Sequence, residues 1–146
     1  DLFCMTRQLS HCIPDFIHPE DHTFYVTQCA LPRKQDVLLP LASSLVSSIR
    51  FYHENHRWFC RAYVVMPKHI HLLLNLYQQS SLSIVIQNWK RYTARSYGIK
   101  WQSDFFDHRL RSDESAAEKA RYMELNPIRA GLSSEPGQWE WFGYFN

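Results

Sequence analysis

Two hydrophobic periods alternate along the chain, and their order predicts its elements. Residues 23–31 (TFYVTQCAL) are rich in β-branched and aromatic side chains and read as a strand. After a polar loop at Pro32-Arg33-Lys34-Gln35, apolar positions recur at helical spacing through Leu41, Val46, Ile49 and Tyr52. This predicts a helix over residues 37–55 with Pro40 in its first turn. Residues 58–66 and 69–76 are two more strands, joined only by Pro67-Lys68 and so expected to form a hairpin. A second helix over residues 81–97 ends at Gly98, the residue type that most readily takes the left-handed conformation beyond a helix end. A short strand follows at residues 105–111. Ser112-Asp113-Glu114 then offers a capping residue and acids for the positive end of a third helix. That helix is expected to stop at Leu125 or Asn126, because Pro127 restricts the residue before it. Residues 1–22 show no period and read as an irregular arm, and residues 133–146 read as a tail.

The resulting order is β-α-β-β-α-β followed by an α. It predicts an α+β fold, a ferredoxin-like sandwich with an additional C-terminal helix that carries Tyr122. In that topology two helices cover one sheet face and leave the other for a ligand or for the third helix. At 146 residues the chain is read as one domain.

Composition changes this picture little. The net charge of +2 does not by itself announce a polyanion partner. The charge is uneven, however: residues 90–111 hold six basic and two acidic side chains, interleaved with Trp89, Tyr92, Tyr97, Trp101, Phe105 and Phe106. Such a segment is either a solvated helix face over core aromatics or a nucleic-acid surface. Cys4, Cys12, Cys29 and Cys60 match no zinc or redox spacing and are expected to be reduced. No apolar run approaches a membrane span and no signal peptide is visible, so a cytoplasmic, nucleoid-associated location is expected. The chain begins at Asp1 rather than Met, so a few native residues are expected to be missing from its start.

The candidate chemistry begins with His69-Ile70-His71 in a hydrophobic strand. Alternate strand residues share a face, so both imidazoles project together. They are either half-exposed sheet histidines or half of a metal site, since neutral imidazole is a common metal ligand. On the third helix Glu118, Tyr122 and Asn126 recur every four residues and share one stripe, while Ala116, Ala120 and Met123 form the core stripe. A tyrosine at that border is ordinarily amphipathic packing. Beside a metal-bound phosphodiester it can instead be a nucleophile, with the Asn126 carbonyl as a third metal ligand. Tyr92 and Tyr97 compete for that role. His108 reads as a strand histidine paired with Asp104 or Glu118.

Several stretches together resemble one family. They are Ala62-Tyr63-Val64-Val65-Met66-Pro67-Lys68-His69-Ile70-His71, Trp101-Gln102, Phe106-Asp107-His108-Arg109-Leu110-Arg111, and Tyr122-Met123-Glu124-Leu125-Asn126-Pro127-Ile128-Arg129-Ala130-Gly131. The His-hydrophobic-His pair matches the motif of the HUH nucleases, and the whole set resembles the REP-associated tyrosine transposases. The resemblance spans residues 23–132. It implies that His69 and His71 bind Mg²⁺ or Mn²⁺, that Asn126 completes the site, and that Tyr122 is the nucleophile. It implies a single-strand endonuclease and strand transferase that acts on hairpin-forming, REP-like palindromic DNA through a 5′-phosphotyrosine, without ATP. Lys68 departs from the pattern, because relatives often carry Asn, Asp or Glu there. With this resemblance the segment from Trp89 to Arg111 reads as a DNA surface, with Lys90, Arg91, Arg95, Trp101 and Arg109 as its contacts. Partners are single-stranded or hairpin DNA and, for a homodimer rather than a monomer, a second copy. The alternative function is a catalytically silent hairpin-binding protein. A phosphodiesterase with two separate histidine motifs is disfavoured, since one such motif is present.

Overall fold

The computed structural model describes residues 22–77, 80–111 and 114–145, and five of its segments form one antiparallel sheet. These are β1 (Thr23–Cys29), β2 (Phe59–Val65), β3 (His69–Asn75), β4 (Phe106–Arg109) and β5 (Phe142–Gly143), in the order β4-β1-β3-β2-β5. The first four have the split arrangement expected from the element order, with β1 and β3 central. Between them run α1 (Ala42–Glu54), preceded by a 3₁₀ turn at Leu39–Leu41, and α2 (Leu82–Tyr97), which ends with Gly98 at φ +71° as expected. α3 (Ala116–Glu124) and the short α4 (Asn126–Arg129) follow β4.

Strand alternation divides the core into two layers. Ile70, Leu72 and Leu74 of β3 share a face with Val26 and Val65, and α1 and α2 cover them with Leu45, Ile49, Ile86 and Trp89. Leu73 points the other way with Ala62 and Val64, and α3 covers them with Ala120 and Met123. All seven residues of β2 are therefore buried, as a central strand covered on both faces should be. Arg61 is the extra residue of a bulge between Cys60 and Ala62 that keeps each apolar set on its own face.

The aromatic content goes largely into the helix-side layer. The Trp89 ring lies 5.8 Å from Trp58 and 5.3 Å from Trp101. Each indole N–H finds an acceptor: Trp58 gives to the Ile49 carbonyl, Trp89 to Ser48 Oγ and Trp101 to Thr93 Oγ1. Such bonds each contribute about 1 kcal/mol net, and leaving the donor buried and unpaired would cost more.

Three expectations need correction. The third helix begins at Ala116 and its cap is Ser115, whose Oγ accepts from the Glu118 N–H. The expected caps Ser112 and Asp113 lie outside the described residues, as do residues 1–21 with Cys4 and Cys12. Helical backbone also resumes after Leu125, because Pro127 sits in the first turn of α4, where its missing N–H costs nothing. Finally, the tail contributes β5. The Val65 N–H donates to the Trp141 carbonyl (2.8 Å) and Trp139 Nε1 to the Val65 carbonyl (2.9 Å). A two-residue strand leaves no period to read in the sequence. Among the described residues no helix is long and apolar enough to cross a membrane.

Candidate functional site

The two histidines stand on the sheet face covered by α3, opposite Ile70 and the helix-side core. Antiparallel register places Thr27 across from His71 and Cys29 across from His69. The imidazole centroids are 4.6 Å apart. Thr27 Oγ1 lies 2.9 Å from His71 Nδ1. With the proton on Nδ1 and donated to that hydroxyl, Nε2 presents a lone pair, which is the ligand form of the ring. Burial lowers the His71 pKa to about 3, helped by His69, Arg129 and Lys119. Burial and then Lys68 hold His69 below its ordinary value. Both rings are thus neutral at physiological pH. The Lys68 ammonium itself turns to Asp36, at 3.7 Å.

From His71 a line of rings leads to the third helix. Tyr25 stacks on His71 with centroids 5.1 Å apart and planes 17° from parallel. It meets Tyr122 edge to face at 6.4 Å. Tyr25 therefore stands between the imidazole and Tyr122. Burial raises its hydroxyl pKa well above the ordinary value, with Tyr122 adding to the shift. Tyr122 is 48% exposed, so its hydroxyl is open to a ligand. Lys119 Nζ lies over both rings, 4.7 Å from Tyr25 and 5.1 Å from Tyr122. The Arg129 guanidinium lies over Tyr122 at 3.8 Å. Among the described residues, neither cation has a carboxylate partner. A neutral imidazole pair, an open phenol and two uncompensated cations make a site for an anion.

Among the described residues no cluster of three or more His, Cys, Asp or Glu side chains could hold a metal ion. A divalent ion would therefore rest on the two imidazoles and a neutral oxygen. Asn126 offers one: its amide nitrogen is buried without a partner among the described residues, and the two ends of an amide are interchangeable in assignment. This set fits a catalytic ion, which keeps positions open for water and substrate.

The remaining expected site residues lie elsewhere. Lys90, Arg91 and Arg95 are on α2, on the far side of the sheet from the histidines. Arg91 and Arg95 are exposed. Lys90 Nζ instead ties down a loop, donating to the carbonyls of Gln102 (2.7 Å) and Ser103 (2.9 Å). Trp101 packs on the helix-side core. Arg109 is exposed on edge strand β4, across from Phe24. The structure does not join these five to the histidine site. Tyr92 and Tyr97, the competing tyrosines, also belong to α2, where Tyr92 stacks on Phe51. His108 pairs with Glu114 (3.0 Å) rather than with Asp104 or Glu118. Residue-level reading missed Tyr25, Thr27, Lys119 and Arg129. Lys119 and Arg129 were findable, three residues before and seven after Tyr122 on its helical stripe. Tyr25 and Thr27 depend on register with β3 and carry no local signal.

Comparison with known proteins adds the following. A family model described as transposase IS200 like matches residues 22–110, a segment that contains both histidines and stops short of Tyr122. A solved structure of a REP-associated tyrosine transposase bound to a REP hairpin superposes with a TM-score of 0.73 at 22% identity, covering 84% of this chain and 76% of that one. A crystal structure of a proposed transposase from Deinococcus radiodurans R1 gives 0.54 at 18% identity, with 73% and 92% covered. No curated protein matches the chain significantly.

Proposed function

The chain belongs to the IS200-like transposase family, and on that premise we propose that it is a metal-dependent single-strand DNA endonuclease and strand transferase acting on hairpin DNA. The observation that carries this reading is the line His71, Tyr25, Tyr122 with Lys119 and Arg129 lying over its rings. Hairpin DNA is the proposed substrate because the similar solved transposase is bound to a REP hairpin.

In the proposed reaction the Tyr122 hydroxyl oxygen attacks phosphorus. The bond from phosphorus to O3′ breaks, and its electron pair leaves on O3′. The phenolic proton passes to solvent, and O3′ takes a proton from solvent. The products are a 5′-phosphotyrosine and a free 3′-hydroxyl. The phosphodiester is exchanged rather than hydrolysed, so no ATP is needed, and a second 3′-hydroxyl can reverse the step to transfer the strand. Mg²⁺ or Mn²⁺ on His69, His71 and Asn126 would supply Lewis-acid stabilisation of phosphate charge. Thr27 would hold the His71 ring in its ligand tautomer, and Tyr25 would hold its plane by stacking.

The test is incubation with labelled single-stranded hairpin DNA and Mn²⁺. An adduct that survives denaturation, maps to Tyr122 by mass spectrometry and is absent from Tyr122→Phe is the expected result. Hairpin binding without any adduct would instead identify a catalytically silent hairpin-binding protein. An adduct on another tyrosine would overturn the assignment of Tyr122.

A further inference from the structure

Arg129 ends α4, seven residues after Tyr122, and its side chain turns back over that tyrosine. The direction is the natural one, because helical side chains lean toward the N-terminus. Its Nη2 donates to the Tyr122 carbonyl at 2.6 Å, which fixes the guanidinium plane against the ring. A guanidinium has five N–H donors in a rigid fork, and this bond uses one of them. Among the described residues, no carboxylate pairs with the charge. The group is thus positioned, charged and largely free as a donor, beside the phenol proposed to attack DNA.

The other side of Tyr122 differs. There a hollow is lined by Glu114, Ser115, Glu118 and Lys119. Two carboxylates in that hollow disfavour a phosphate, so the anion's place is on the Arg129 side.

We propose that Arg129 is a catalytic residue that grips the non-bridging oxygens of the scissile phosphodiester while Tyr122 attacks it. The inference rests on the reading of Tyr122 as the nucleophile. During attack, negative charge builds on those oxygens as the phenolic oxygen bonds to phosphorus and O3′ departs. A planar fork of fixed N–H donors meets two such oxygens at once. Because Arg129 is anchored to the tyrosine's own carbonyl, clamp and nucleophile move together.

The experiment compares wild type, Arg129→Lys and Arg129→Ala on hairpin DNA with Mn²⁺, using a normal or a methylphosphonate scissile linkage. Arg129→Ala is expected to slow adduct formation by about 10²–10³-fold, the usual cost of one preorganised oxyanion donor, with hairpin binding retained. Arg129→Lys should recover only part of the rate, lacking the planar fork. Exogenous guanidinium ion should rescue Arg129→Ala. Replacing one charged oxygen by methyl should penalise wild type far more than Arg129→Ala. Adduct formation by Arg129→Ala at the wild-type rate would overturn the clamp while leaving the function intact. An unrescued loss with an unchanged methylphosphonate penalty would overturn it too, by reducing Arg129 to a helix cap. If wild type forms no adduct on either linkage, the reading of Tyr122 fails and the clamp falls with it.

Discussion

Thr27 and His71 face each other across β1 and β3, with the threonine hydroxyl 2.9 Å from imidazole Nδ1. This contact decides which ring nitrogen is left for a ligand. Thr27→Val keeps the shape and removes the hydroxyl. It should weaken Mn²⁺ binding about 10–100-fold, the usual effect of losing a ligand-orienting partner, and cost about 1 kcal/mol of stability. Titration calorimetry and thermal melts separate the two effects. Unchanged Mn²⁺ affinity would show that the hydroxyl does not set the tautomer.

Replacing both His69 and His71 by Ala should abolish adduct formation and leave hairpin binding largely intact, as should chelation of the metal. The cations over Tyr122 do not depend on the imidazoles for their positions. A double mutant that still reacts at the wild-type rate in Mn²⁺ would remove the metal from the mechanism.

The basic residues of α2 should separate into two behaviours. Arg91→Ala and Arg95→Ala leave exposed positions. If these side chains meet phosphate, each should reduce the slope of log affinity against log salt by about 0.7–0.9. Lys90→Met should instead lower the melting temperature, because it releases the carbonyls of Gln102 and Ser103. Unchanged salt slopes in the arginine variants would place the DNA surface on the histidine face alone.

His53 should make the fold sensitive to acid. Its Nδ1 accepts the Cys60 N–H at 3.0 Å, which requires a neutral ring. Burial holds its pKa below the ordinary value. The unfolded chain therefore takes up this proton first as pH falls. The stability it contributes is complete above the unfolded value of about 6.5 and is lost as pH drops through that value toward the folded one. His53→Asn presents an amide oxygen to the same N–H without titrating. Melting curves between pH of about 7.5 and 5 should show a shallower acid limb in this variant. Parallel loss in both proteins would assign the acid sensitivity elsewhere.

Local pattern in the sequence determined a good deal. Period-two runs located β1, β2 and β3, and helical spacing with Gly98 located α2, because these signals come from burying one face of a single element. The same local logic put His69 and His71 on one face and Tyr122 at the border of the Ala120–Met123 stripe, and the motif order pointed to the family. The helix cap was misplaced, since several Ser and Asp residues precede α3 and only the folded backbone selects Ser115. Tertiary structure alone decided the rest. The stacking of Tyr25 on His71, and the Thr27 contact beside it, follow from the register of two strands about 44 positions apart, and pairing register is a long-range property. It also decided that Lys90 and Trp101 serve the helix-side layer while Lys119 and Arg129 surround the tyrosine. Charge and aromatic content can be counted along a chain, but which face of the sheet they serve is settled only when the layers close.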